Sequence, residues 1–145
     1  MYASSEDAEE AFYFAFSNGD LDAMMQVWSP TGEIICIHPG GSRLAGIDAI
    51  RQSWAMLFRD SNMRRAFNLR GRIVVGSGEL RMHQLEENIW VPGTHFVAPP
   101  VLATNVYQRQ RHGWYMILHH AGVAPTALAA VSAAGTAGSA PPRLH

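Results

Sequence analysis

The chain of 145 residues predicts an α+β fold in one domain. Up to Phe58, apolar residues recur at helical spacing. Beyond it, runs of β-type residues alternate and are broken by Gly76-Ser77-Gly78, Pro92-Gly93 and His112-Gly113. Helices and strands are therefore segregated along the chain, which points to antiparallel strands packed on helices rather than to βαβ units.

Ser4-Ser5-Glu6-Asp7 reads as an N-cap with acids in the first turn, where they complement the helix dipole. Ala8, Phe12, Ala15 and Phe16 then share a helical face, and Asn18-Gly19 stops the helix. Asp20 caps a second helix with Leu21, Met24, Met25 and Trp28 on its apolar side. Ser29 to Gly32 is a turn, Glu33 to His38 a strand, and Ser42 to Ala45 a short return strand. Gly46-Ile47-Asp48 opens a third helix, in which Ile47, Ile50, Trp54, Leu57 and Phe58 share a face. Four longer strands follow as a meander: Phe67 to Val75, Leu80 to Val91, Val101 to Arg109, and Trp114 to Ala121.

The domain is expected to span residues 1–123, with an Ala/Gly/Pro-rich tail over 124–145. Ala127 to Ala134 has the composition of a brief helix. The rest of the tail holds too little apolar surface to offset the entropy of ordering and is expected to be disordered. With 48% hydrophobic and 16% charged residues, the chain can build a sizeable core. A net charge of −1 gives no basic field to recruit nucleic acid or anionic lipid. The lone Cys36 excludes an intrachain disulfide and a multi-cysteine metal site. The N-terminus lacks the features of a signal peptide and no apolar run reaches the length of a membrane span, so a cytoplasmic location is expected.

The chemistry is sought first at Ile35-Cys36-Ile37-His38-Pro39-Gly40-Gly41. A β-run ends on a histidine, and proline and glycine then turn the backbone. This leaves an imidazole, able to exchange a proton near neutral pH, at the rim of a strand. Although the chain carries seven histidines, adjacent His119 and His120 point to opposite faces of a strand, so no metal set is expected. Strict alternation puts Trp114, Met116, Leu118 and His120 on one face of the last strand. It puts Tyr115, Ile117 and His119 on the other. Ala103, Asn105 and Tyr107 lie together on the strand before. In the second long strand Met82, Gln84 and Glu86 alternate against His83, Leu85 and Glu87. Apolar residues on both faces of the last strand suggest helices covering one and a partner chain the other.

The run Gly19-Asp20-Leu21-Asp22-Ala23-Met24, the His38-Pro39-Gly40-Gly41 corner, Leu44-Ala45-Gly46 before Ala49-Ile50, and the closing Gly113-Trp114 with His119-His120-Ala121 are landmarks. With them, residues 6 to 123 resemble the nuclear transport factor two-like superfamily, in its SnoaL-like and ketosteroid-isomerase-like branches. The resemblance implies a curved antiparallel sheet wrapped around three N-terminal helices as a cone. It also implies a pocket on the concave side and a homodimer through the outer sheet face. In the isomerases the base is an aspartate before a proline at the end of the first strand, where His38 stands here. Their second oxyanion donor falls at Asn105. Their first, a tyrosine on the first helix, falls at Phe12, with Tyr13 about 100° away. A missing donor is worth about 3 kcal/mol of barrier, so steroid isomerisation itself is not expected.

Two functions follow from the resemblance, because this fold hosts many. One is a cofactor-independent proton-transfer enzyme of isomerase, dehydratase or cyclase type. His38, Asn105 and His120 would be its catalytic residues. A small apolar substrate would lie among Phe12, Phe16, Trp28, Trp54, Phe58, Met82, Glu86, Tyr107 and Leu118. The other is a ligand-binding or homo-oligomeric assembly module of the same fold.

Overall fold

A computed structural model describes residues 1–59 and 64–125. The tail from residue 126 onward, with the helix expected at Ala127 to Ala134, lies outside the described residues. Helix α1 spans Ser5–Asn18. Its first turn closes where the Ser4 hydroxyl accepts from the Asp7 N–H at 3.0 Å. Gly19, at φ 64°, ends it in the left-handed conformation that glycine adopts without strain. Helix α2 is Leu21–Val27, capped by the Asp20 carboxylate on the Ala23 N–H. Strands β1 (Ile35–Ile37) and β2 (Leu44–Ala45) flank the His38 corner, and α3 runs Ile47–Arg59. The meander is β3 (Ala66–Val75), β4 (Leu80–Trp90), β5 (Val101–Gln110) and β6 (Gly113–Val123).

These strands form one curved six-stranded sheet in the order β2-β1-β6-β5-β4-β3. The meander pairs are antiparallel, as the short turns require. One pairing is parallel: β1 lies along β6, Ile37 opposite His120, because the three-helix segment carries the chain back to the same edge. The core sits between α1, α3 and the sheet. Phe12, Trp54, Leu85, Ala103 and Met116 are completely or almost completely buried there. Phe16 packs edge-on to Trp54 at 4.8 Å and to Phe67 at 4.7 Å.

Two bulges break the alternation. In β6 the partners step from Leu118 opposite Val106 to Met116 opposite Tyr107, so Ile117 is an extra residue. Trp114 and Met116 face the core before the bulge, and His119 and Ala121 after it. Strict alternation is therefore wrong for the second half of the strand. In β3, Gly71 and Arg72 together oppose Leu85, and Gly71 has φ 63°. The bulge turns Arg72 toward α1.

There Arg72 Nη1 donates to Glu9 Oε1 at 2.9 Å. The other oxygen of Glu9 pairs with His83 Nδ1, and His83 Nε2 meets the Ser5 hydroxyl at 2.9 Å. Ser5, Glu9 and His83 are all buried. A buried carboxylate needs such partners, and these hold the start of α1 on β4.

Among the described residues no helix is long and apolar enough to cross a membrane. The N-terminal arm is held by the Trp114 N–H, which donates to the Tyr2 carbonyl at 2.9 Å. Gly113 sits there at φ 129°, and an added Cβ would stand 2.7 Å from that carbonyl oxygen. Gly113→Ala is expected to cost about 2 kcal/mol or more through backbone strain and clash. Its melting temperature should fall by roughly 6–10 °C. A thermal melt within a degree or two of the parent would contradict the close approach.

Candidate functional site

The sheet curves over α3 and the C-terminal half of α1 and leaves a cavity of about 450 Å³. Phe16 closes one side, and Ser53, Met56 and Leu57 of α3 another. His38 and Pro39 form the rim after β1, while Glu87 and Ile89 of β4, Val101 of β5, and His119 and Ala121 of β6 complete the wall. A larger cleft of about 760 Å³ opens at the β5–β6 turn beside Arg109, Arg111 and His112. The charged side chains of that cleft, Glu79, Arg109 and Arg111, are exposed, whereas the smaller cavity has Glu87 and His119 buried and His38 half-buried in a mostly apolar lining.

His38 stands edge-on to Trp54, ring centroids 4.7 Å apart. Its Nε2 is 3.2 Å from the Ser53 hydroxyl, which already donates to the Ile50 carbonyl at 2.8 Å. The hydroxyl proton is thus committed, so the Ser53 oxygen accepts from His38 Nε2–H, with the Cys36 sulfur 3.7 Å from the same nitrogen, and Nδ1 is the unprotonated one. Burial lowers the His38 pKa below 6.5, which leaves the ring neutral at pH 7.

His119 lies 6.3 Å from His38, centroid to centroid, and 5.0 Å from Phe12. It is the inner end of a hydrogen-bonded chain. The Tyr13 hydroxyl donates to Glu87 Oε2 at 2.6 Å, and Asn105 Nδ2 donates to that hydroxyl at 3.0 Å. Asn105 Oδ1 in turn faces His119 Nδ1 at 2.6 Å. His119 Nδ1 must carry the proton, and its Nε2 is left as a free base. Burial, then the nearby His38 and His120, push the His119 pKa down to about 3. Burial pushes Glu87 up to about 7 against the Tyr13 hydrogen bond, which lowers it. The same burial, reinforced by the Glu87 charge, holds Tyr13 well above its usual value.

Several expected site residues lie elsewhere. His120 is exposed on the outer face, and Leu118 is turned away from the core beside Ile35, both because of the Ile117 bulge. Met82 is 38% exposed and Glu86 half-buried, because β4 points His83, Leu85 and Glu87 inward. Trp28 is buried beside Met116, on the other side of the Ile117 bulge from His119, and is not in the cavity lining. Tyr107 is buried against the His83 ring at 4.8 Å, away from the cavity lining. Phe12 supports His119, Trp54 supports His38, and Phe58 packs on Trp54 at 5.5 Å. Asn105 is buried one residue behind the wall.

Sequence reasoning did not select Tyr13, Ser53, Glu87 or His119 as site residues. The available signal for Tyr13 was the polar stripe Ser5, Glu9, Tyr13 at i, i+4 spacing beside the apolar stripe of Ala8, Phe12 and Phe16. Among the described residues no three His, Cys, Asp or Glu side chains gather closely enough to hold a metal ion.

The profile of the SnoaL-like domain matches residues 6–126. A structure from Thiobacillus denitrificans, provisionally named a calcium/calmodulin-dependent protein kinase type II association domain, is 32% identical with a TM-score of 0.75, covering 86% of this chain and 98% of that one. A Streptomyces avermitilis structure, provisionally named a dehydratase of the NTF2-like family, is 29% identical with a TM-score of 0.73, covering 81% and 91%. The F-box protein SKIP8 of Arabidopsis thaliana is 27% identical over 115 residues, 77% of this chain. The chain spans 46% of that protein's length.

The Glu87 carboxyl gives a pH signature. Its native pKa is raised from 4.5 to about 7. Between those values the folded chain holds a proton that the unfolded chain has lost, so this group's contribution to stability falls as pH rises. Glu87→Gln removes the titration. The variant should gain on the order of 3 kcal/mol relative to wild type between pH 4.5 and 7. Urea midpoints of both proteins across that range check it; a constant difference would contradict the buried neutral carboxyl.

Proposed function

We propose, since this chain belongs to the SnoaL-like domain family, that its cavity takes a small, mostly apolar molecule bearing hydroxyl or carbonyl oxygens and moves a proton on it. The observation that carries this reading is the meeting of His38, His119 and Glu87 in one apolar cavity, two rings kept neutral at pH 7 and one carboxyl raised to about 7, so that it still carries a proton in part of its population there. A neutral imidazole is a base and a protonated carboxyl is an acid, and catalysis by such pairs needs both at the same pH.

The reaction class that uses both is elimination of water next to a carbonyl. His38 Nδ1 or His119 Nε2 takes the proton from carbon, the C–H electrons form the new C=C bond, and the C–O bond breaks. Glu87 gives its proton to the departing hydroxyl, which leaves as water. The imidazolium then returns its proton to the Glu87 carboxylate by way of cavity water. The dehydratase name of the Streptomyces relative agrees with this reading.

A second observation favours an assembly role beside it. Met82 and Leu102 are each 38% exposed on the outer sheet face, and half-buried Val106 and Leu118 follow Met82 across the register. We infer that this face pairs two copies of the chain, an arrangement in keeping with the association-domain name of the Thiobacillus relative. Light scattering should give a dimer at micromolar concentration and a monomer for Leu102→Glu. A wild-type monomer would remove the paired-face reading.

For the cavity, a panel of small cyclic hydroxy-ketones is titrated into the isotope-labelled chain. Bound members should shift the signals of His38, Glu87, His119 and Ala121. Turnover of any of them should fall about 10²–10⁴-fold when the base is replaced, in His119→Gln or His38→Gln. Turnover unchanged in both variants would sink the proton-transfer reading.

A further inference from the structure

We infer that the two imidazoles make this cavity a reader of hydrogen-bond donors. Each offers the ligand a bare nitrogen, so the site takes a molecule by the O–H groups it brings and selects a diol over the ether or ketone of the same frame. The inference rests on the proposed function for the choice of this cavity as the site, and deepens it by naming the substrate class.

Both rings spend their one proton on the protein. Ser53 Oγ donates to the Ile50 carbonyl one turn back on α3 at 2.8 Å. Toward His38 Nε2, 3.2 Å away, it is therefore an acceptor, and the Cys36 sulfur at 3.7 Å is a weak acceptor for the same proton. At His119 the partner is an amide oxygen, which only accepts: Asn105 Oδ1 stands 2.6 Å from Nδ1. The other end of that amide is fixed as well, because Asn105 Nδ2 donates to the Tyr13 oxygen while Tyr13 donates to Glu87 Oε2. This direction holds whether or not Glu87 is ionised, since a carboxyl proton on Oε1 leaves Oε2 free to accept. Asn105 and His119 are buried, so water does not replace the link as it would at a surface. Neutral rings with these protons placed leave His38 Nδ1 and His119 Nε2 as acceptors.

The rest of the wall supplies little to offset them. Apart from Ser53 and Glu87 the other lining side chains are hydrocarbon or thioether. Trp54, with its indole N–H, is buried outside the lining. Glu87 adds one donor when protonated and a further acceptor when ionised. A carbonyl oxygen thus finds one side-chain donor at most, while O–H groups find two ring acceptors at any pH that keeps the rings neutral. An ammonium group would enter an apolar site as a charge, so the donors it suits are hydroxyls. In the proposed elimination one ring takes the carbon proton, and the other is left to hold an O–H that stays on the molecule. The substrate class is then a dihydroxy carbonyl compound, with one hydroxyl leaving at Glu87 and one anchored at an imidazole.

The test has two parts, both on the full chain. Long-range proton–nitrogen NMR of the histidine-labelled protein at pH 7.5 should find the proton of His38 on Nε2 and that of His119 on Nδ1. Three probes of one frame are then titrated: 5-methylresorcinol with two O–H groups, 3-methoxy-5-methylphenol with one, and 3,5-dimethoxytoluene with none. The dissociation constant should rise about tenfold with each hydroxyl capped. A cavity that reads apolar area alone would show the opposite order, because each methyl cap adds apolar surface to bury. His38→Phe and His119→Phe should each remove about tenfold of the difference between the first probe and the last. A proton on His38 Nδ1 or His119 Nε2 overturns the inference, and that readout needs no variant to fold. So does equal or tighter binding of 3,5-dimethoxytoluene, or no binding of any of the three. The order is read from binding alone, so turnover unchanged in His38→Gln and His119→Gln would sink the proton-transfer reading and leave the donor rule standing.

Discussion

Two carboxylates are buried beneath α1, and the position of that helix depends on satisfying both. Glu9 points from α1 onto the sheet and Glu87 points from β4 toward α1. An ion or carboxyl taken out of water without partners costs several kcal/mol, more than a small domain can lose lightly. Glu9 is met by His83 and by Arg72, which the β3 bulge turns inward, while Glu87 is met by Tyr13. Glu9 and Tyr13 stand four residues apart on one stripe of the helix, so the two links fix both its rotation and its height. The neighbouring stripe then has no freedom either. Phe12 comes to rest against His119, and Phe16 against Trp54 and the cavity.

From that placement the electrostatics of the cavity follow. The same burial that raises the Glu87 pKa lowers those of His38 and His119. Desolvation disfavours whichever form is charged, so acid and bases all move toward neutrality. The cavity can therefore hold proton donors and acceptors together without carrying net charge, which suits an apolar ligand. Hydrogen-bond direction adds a second level of control. Ser53 commits the Nε2 proton of His38, and Asn105 commits the Nδ1 proton of His119, so the two rings present different nitrogens.

Much of the architecture was legible in residue order. The caps at Ser4 and Asp20, the stop at Gly19 and the apolar spacing of Ile50, Trp54 and Phe58 act through local geometry, and the helices lie where these signals put them. His38 was legible as a rim residue because proline and glycine end its strand. The grouping of Ala103, Asn105 and Tyr107 was legible because β5 keeps its alternation through all three. The parallel β1–β6 pairing was not, since it depends on where three helices return the chain. Nor was the choice between Phe12 and Tyr13. Both are buried, and a reading that allots one inward face to a helix has no means of seeing a second, polar one.

By itself the sequence determined the order of elements, the fold class and the types of group available for chemistry, because periodicity and turn residues act over a few positions. It did not determine which of two adjacent histidines faces the cavity. Strand alternation has a period of two, so one extra residue exchanges the faces for everything that follows. That residue is Ile117, and nothing in its own identity marks it as extra. On one side of the bulge Tyr107 and Met116 fill the core, and on the other Asn105 meets His119. Only packing across the finished sheet could decide that, and in doing so it placed His119 inside and His120 in solvent.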